Sequence, residues 1–261
     1  MSKRDPERVF DQTALRANRD GQRVHRDYAA HYFRWSWAVS RNQDISIAGR
    51  STLDIGCGSD LPLLNVAIHQ SQHPGNYVGV DLNPLPAIAP SLAKRATLYG
   101  RTDFTDPAIW QRILDKHGRF ERIVSFECIE HMTVEKGWNL LWGARQLLLP
   151  GGIFLLSTPV FDGHQAGNHI HEYTIPELQK YVEAAGFTVM ERFGTFANVT
   201  TCKPAIEKWA YEHVLGSEFT DGFKLLWDQL KRFHSPDVLA NFVAPVIPNE
   251  SRNNVWRLEL A

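Results

Sequence analysis

Short apolar runs alternate with longer amphipathic stretches through the middle of this 261-residue chain. The runs at 52–55, 77–81, 96–100, 120–126 and 153–157 read as strands. Between them, 61–70, 107–117 and 134–148 carry apolar residues at helical spacing, and Asp106 stands before Pro107 as an N-cap. Strand and helix in this alternation predict a parallel, doubly wound α/β sheet with right-handed crossovers. Residues 188–193 and 254–260 predict two further strands, with Gly186 stopping the helix before the first of them. Residues 5–42 predict one or two helices broken near Gly21, and 204–250 a helical insertion rich in Trp, Tyr and Phe. The expected organisation is a helical segment at 1–45 and one domain at 46–261 that includes the insertion. The first segment either packs its aromatic residues on the domain or covers its site as a lid.

One turn stands out in this pattern. The first strand ends in Asp54-Ile-Gly56-Cys-Gly58, and a helix follows. Gly56 and Gly58 can take backbone angles closed to other residues and let a ligand approach the main chain. The helix start behind them offers unpaired N–H groups and partial positive charge. A dinucleotide-binding turn reads G-x-G-x-x-G, but Leu61 stands where its third glycine belongs. Asp81 ends the second strand at the distance expected for a carboxylate that accepts ribose hydroxyls. In a doubly wound sheet ligands lie beyond the C-terminal strand ends, and Gly56, Asp81, Asp103 and Phe126 all fall there.

Composition narrows the classes. A hydrophobic fraction of 43% supports a full core. A net charge of −1 supplies no general basic field, which argues against a dedicated nucleic-acid binder. The three cysteines, Cys57, Cys128 and Cys202, form no C-x-x-C pair or disulfide framework, which suits a reducing interior. The N-terminal Met-Ser-Lys-Arg-Asp-Pro has no apolar signal core, and no stretch reaches membrane-span length, so the expected location is cytoplasmic.

The turn Asp54-x-Gly56-x-Gly58 resembles motif I of class I S-adenosylmethionine (SAM) dependent methyltransferases. The Arg101-Thr-Asp103-Phe104 step and the Leu149-Pro-Gly-Gly152 turn are similar to further motifs of that family. Glu127-Cys-Ile-Glu130-His131 resembles the strand-four end of small-molecule members of the ubiquinone-biosynthesis O-methyltransferase type. The ending Ser251-Arg-Asn-x-x-Trp-Arg-Leu is loosely similar to phage-encoded methyltransferase-like proteins. The resemblance implies a Rossmann-like seven-stranded sheet of order 3-2-1-4-5-7-6, with the last strand antiparallel beside the sixth. It implies SAM as cofactor, held by Asp54, Gly56, Gly58, Asp81, Leu82, Asp103, Phe104 and Phe126. Asp103 would accept from the adenine amine and Phe104 would stack on a ring. Separation of the last two strands by an insertion departs from the family pattern.

Methyl transfer needs a base only if the acceptor must lose a proton. His131 and His171 are candidates because imidazole titrates near neutrality, and Glu130 could orient His131 or bind the acceptor. The reading is a SAM-dependent methyltransferase acting on O, N or C of a small molecule, with no metal. A second reading draws on small-RNA 3′-end 2′-O-methyltransferases, whose Glu-x-x-Glu-His and later histidine ligate a metal. Glu127, Glu130, His131 and His169 or His171 resemble that set, and one helical turn would bring the first three together. A third is a SAM-binding protein without catalysis. Cys128 lacks the proline neighbour of a cytosine-methylating nucleophile, and Cys57 reads as a small core filler.

Overall fold

The computed structural model describes residues 26–40, 44–196 and 244–261. Most of the expected N-terminal segment and of the 204–250 insertion, with Cys202, lies outside them. The chain divides into two compact units, Met1–Phe33 with Phe193–Asn254, and Arg34–Arg192 with Val255–Ala261. In the described part of the first unit, Phe33 and Phe193 meet edge to face with centroids 6.0 Å apart. Thr195 there donates from Oγ1 to Asn253 Oδ1 at 2.9 Å.

The second unit holds most of a seven-stranded sheet in the order β3-β2-β1-β4-β5-β7-β6, as expected. The strands are β1 (Ser51–Ile55), β2 (Asn76–Val80), β3 (Ala96–Tyr99), β4 (Phe120–Phe126), β5 (Leu148–Pro159), β6 (Phe187–Phe196) and β7 (Asn253–Leu260). β1 pairs in parallel with β2 and β4, β2 with β3, and β4 with β5. Helix α1 is Arg26–Ala38, and the crossovers are α2 (Pro62–His69), α3 (Pro90–Ala93), α4 (Pro107–His117), α5 (Val134–Leu147) and α6 (Ile175–Ala184). β5 starts earlier than expected, because the Leu149-Pro-Gly-Gly152 turn is strand with a register shift against β4. The four-residue α3 is too short for periodicity to announce it.

Central strands are apolar on both faces, as helix-covered parallel strands must be. Leu53, Ile55, Val78, Val80, Ile123, Phe154, Leu156 and Trp256 form the buried spine. α4 begins as read: the Asp106 side chain accepts from Ala108 N–H and Pro107 stands at N1. Its Trp110 packs where a side chain at Gly143 of α5 would stand, so the two helices approach closely only because that position is bare. α6 has a full capping box between Thr174 and Glu177, and Gly186 stops the chain after it at φ 87°. Because β1, β2, β3 and β4 all run the same way, their C-terminal ends share one edge. The chemistry-bearing side chains gather along that edge.

Candidate active site

The edge is built around the turn after β1. Gly56 has φ 74°, and its N–H donates to Val80 O at 2.8 Å. A Cβ there would stand 2.5 Å from the Cys128 Sγ, so glycine is required twice, for its backbone angle and for the contact. Gly58, at φ 68°, donates its N–H to Asp81 Oδ2 at 2.8 Å. Asp81 Oδ1 accepts from Asn83 N–H at 2.7 Å and from Asn83 Nδ2 at 3.0 Å. The acid at the end of β2 is thus locked against the turn at the end of β1. Beside it Leu82 is 69% exposed, an apolar side chain held in solvent. Leu61, at the position of the missing third glycine, enters α2 in the left-handed region at φ 47° with its side chain buried.

Asp54 is buried beneath the turn and accepts from the Tyr77 hydroxyl at 2.6 Å. Burial pushes its carboxyl up to about 7 against the pull of the Tyr77 hydrogen bond, and the nearby Asp81 charge adds to the rise. Burial likewise raises the thiols of Cys57 and Cys128, so neither is an activated nucleophile.

Asp103, after β3, is engaged by three donors. Thr105 donates to Oδ1 from its N–H at 3.0 Å and from its hydroxyl at 2.6 Å, and Lys136 Nζ lies 2.8 Å from Oδ2. Partial burial raises this carboxyl, but the bonds from Lys136 and Thr105 outweigh it and hold the group below its ordinary range. Phe104 does not fit its expected stacking role. Its ring is 4% exposed and packs in the core against Trp110, so it brings backbone rather than a ring face to the edge. Phe126 is buried at the end of β4.

Past β4 the chain turns sharply. Glu127 has φ 53°, and its carboxylate accepts from Ser157 Oγ at 2.7 Å and lies 3.4 Å from Arg34 Nη2. It is not one helical turn before Glu130 and His131, as the sequence suggested. Only Ile129–His131 is helical, as a single 3-10 turn. The carbonyl of Glu130 accepts from Ile170 N–H at 2.8 Å and from His171 N–H at 3.1 Å, which ties the turn to the loop after β5. His131 Nδ1 lies 3.2 Å from Asn168 O, and its ring meets that of His169 edge to face at 5.0 Å. His169 Nδ1 pairs with the buried Glu172 carboxylate at 2.5 Å.

One ligand atom each from Glu130, His131 and His169 falls within a 4.8 Å cluster. Glu127 and His171 are not in that cluster. His171 Nε2 sits 3.0 Å from Glu177 Oε1, and its ring stands on Tyr173, so it serves the start of α6. The partners Tyr77, Lys136, Ser157, Arg34 and Glu172 carried no motif. The one sequence sign among them is Arg34, a charge set between Phe33 and Trp35 in an aromatic stretch.

A family model described as a methyltransferase domain matches residues 28–192. The ubiquinone biosynthesis O-methyltransferase of Dechloromonas aromatica is 28% identical over 117 residues, 45% of this chain and 47% of that protein. A probable S-adenosylmethionine-dependent methyltransferase of Mycolicibacterium smegmatis is 27% identical over 177 residues, 64% of this chain and 63% of that protein. The chain therefore spans about half to two thirds of the length of the curated relatives it matches. Among solved structures, a Burkholderia thailandensis 1,6-didemethyltoxoflavin-N1-methyltransferase, with that compound and S-adenosylhomocysteine bound, superposes with a TM-score of 0.54 at 18% identity, covering 97% of this chain and 88% of that one. The [4+2]-cyclase SpnF superposes with a TM-score of 0.52 at 14% identity, covering 88% of this chain and 81% of that one. At such identities the likeness is one of fold.

Proposed function

The chain belongs to the methyltransferase-domain family of class I SAM-dependent type, and on that premise we propose that it transfers the SAM methyl group to an O, N or C atom of a small-molecule acceptor. The observation that carries the reading is the junction of the Gly56–Gly58 turn with Asp81 at the ends of β1 and β2. The residues there fit SAM by their donor chemistry. Asp81 is a positioned acceptor for the ribose hydroxyls. Asp103 is an acceptor for the adenine amine, and exposed Leu82 offers an apolar face to the purine. Gly56 and Gly58 let the main chain lie against the amino-acid end of the cofactor.

When bound, SAM supplies an electrophilic methyl group on a sulfonium sulfur. The protein's contribution is mostly placement, worth roughly 7–11 kcal/mol in favourable cases. Glu130 and His131 stand past β4 on the acceptor side. A proton on Nδ1 of His131, shared with Asn168 O, leaves Nε2 as the basic nitrogen for an acceptor that must ionise. His171 is bound up with Glu177 and is the weaker of the two candidate bases.

The near-neutral chain, at net charge −1, favours a small acceptor over a polyanionic one. No described helix is long and apolar enough to cross a membrane. Isothermal titration with SAM and with S-adenosylhomocysteine tests the reading. One site for each, at micromolar affinity, is expected. Absence of binding by both at high micromolar concentration would refute it. SAM binding without transfer to any offered small molecule would point instead to a non-catalytic SAM-binding protein.

A further inference from the structure

We propose that the cavity at the N-terminal ends of β1 and β4, lined by Arg50, Arg122 and Arg257, binds the phosphate or carboxylate group of one small metabolite. The site lies at the edge of the sheet opposite the Gly56–Gly58 turn. It does not rest on the methyl-transfer reading.

The cavity holds about 460 Å³, room for a small molecule. Arg50 stands just before β1, Arg122 near the start of β4, and Arg257 on β7. The turn Leu149-Pro-Gly-Gly152 forms one wall. Three arginines far apart in sequence thus face one space, and all belong to the second unit.

Arg122 is buried and held in place by backbone. Its Nε donates to Ile45 O at 3.3 Å, Nη1 to Glu121 O at 2.9 Å and Nη2 to Asp44 O at 2.9 Å. These carbonyls orient the guanidinium without cancelling its charge. Asp44, Glu121 and Glu259 also line the cavity, so the balance of charge matters. The Glu121 carboxylate accepts from Arg50 Nη1 at 2.9 Å and from Ser51 N–H at 3.0 Å. Glu259 accepts from Arg257 Nη2 at 3.0 Å. Each of these two acids is therefore already engaged by an arginine of the set. Burial lowers the Arg122 pKa first. The Arg50 charge then lowers it more than the Glu121 charge raises it, and Arg257 more than Asp44. At Arg122 the neighbouring guanidiniums outweigh the neighbouring carboxylates, and a local field of that sign draws an anion.

Arg257 adds a donor aimed at nothing. Its Nε is buried and meets no acceptor among the described residues. A buried donor left unmet is costly, and an oxyanion against it removes that cost. The planar fork of N–H groups on arginine matches the oxygens of phosphate and carboxylate alike. Arg50 and Arg257 are the direct ligands in this assignment, and Arg122 is the fixed charge behind them.

The test is calorimetric titration of the full chain with inorganic phosphate and, separately, with succinate, each with and without saturating S-adenosylhomocysteine. One site per chain is expected for at least one of the two anions, at submillimolar affinity and unaltered by S-adenosylhomocysteine. The preferred anion tells a phosphorylated ligand from a carboxylated one. Arg50→Gln and Arg257→Gln should each weaken binding about tenfold or more, the worth of a charged hydrogen bond. Arg112→Gln, on the exposed side of α4, should leave it unchanged, and an equal loss there would mean unspecific attraction and overturn the site. Binding of neither anion at millimolar concentration would overturn the proposal, as would binding undiminished in both Arg50→Gln and Arg257→Gln. Displacement by S-adenosylhomocysteine would also overturn it, because the anion would then sit at the cofactor turn. Circular dichroism checks the fold of each variant, and if Arg257→Gln fails to fold, Arg50→Gln decides alone.

Discussion

Replacing Asp54 with asparagine should remove a pH dependence of stability that a buried acid imposes on the fold. In the native protein Asp54 is held up near 7, against an ordinary 3.8, because burial disfavours its charge more than the Tyr77 hydroxyl favours it. Well below pH 3.8 the carboxyl is neutral both folded and unfolded, and its contribution is fully present. As pH rises the unfolded chain ionises first, so stability falls until the folded carboxyl also ionises near 7. A shift of about 3 units corresponds to roughly 4 kcal/mol lost across that window. The asparagine side chain would keep the oxygen that accepts from Tyr77 but could not ionise. Asp103 and Glu121, whose pKa values are lowered, supply stability that is lost as pH falls, and they are common to both proteins. The difference profile therefore isolates Asp54. The assay is urea unfolding followed by tryptophan fluorescence from about pH 4.5 to 8.5, with m-values compared between the two proteins. The variant should exceed the native protein by only about 1 kcal/mol at pH 4.5, where the unfolded carboxyl is already mostly ionised, and by up to about 4 kcal/mol at about pH 8. Parallel profiles, or a variant weaker than native at the alkaline end, would refute the reasoning.

Asp81→Asn should weaken SAM binding about tenfold or more, the cost of a charged hydrogen bond worth roughly 1.5–3 kcal/mol. Calorimetry checks this, and unaltered affinity would mean that the ribose lies elsewhere. Gly56→Ala should destabilise through its left-handed backbone, about 1–2 kcal/mol, and through overpacking on Cys128, about 1–3 kcal/mol. Adding Cys128→Ala should recover only some of the second part in urea unfolding, because Cys128 Cβ would still stand 2.9 Å from the new Cβ, and full recovery would show that the backbone angle costs nothing. His131→Ala should lower turnover by about 100-fold or more while SAM affinity changes little, as removal of a group that serves the acceptor does. A matched loss of both would move His131 to the cofactor.

The strands and their order were legible because a parallel sheet leaves a repeated mark. Buried runs recur between amphipathic stretches, and consecutive strands bring their C-terminal ends to one edge. Gly56, Asp81, Asp103 and Phe126 could be set at that edge from that rule alone, whereas Asp54 and Gly58 were singled out by the family resemblance of the turn. Phe104 could not be placed: the dipeptide Asp103-Phe104 puts neighbouring side chains on opposite sides, and the ring went to the core. The Glu127 to His131 spacing suggested one helical face. The positive φ at Glu127 broke that face and sent its carboxylate to Ser157. Lys136 reaches Asp103 across 33 positions, and Arg34 reaches Glu127 from α1. Such pairings depend on how elements pack, not on any local pattern. The Glu130, His131 and His169 cluster was half legible, since two members adjoin and the third comes from a loop whose path only the fold fixes.

A crystal structure of the chain soaked with S-adenosylhomocysteine tests the central claim most directly. The account predicts the ribose hydroxyls within hydrogen-bond distance of Asp81, the purine against Leu82 and the sulfur facing Glu130 and His131. Density for the nucleoside away from the C-terminal ends of β1 and β2 would contradict it.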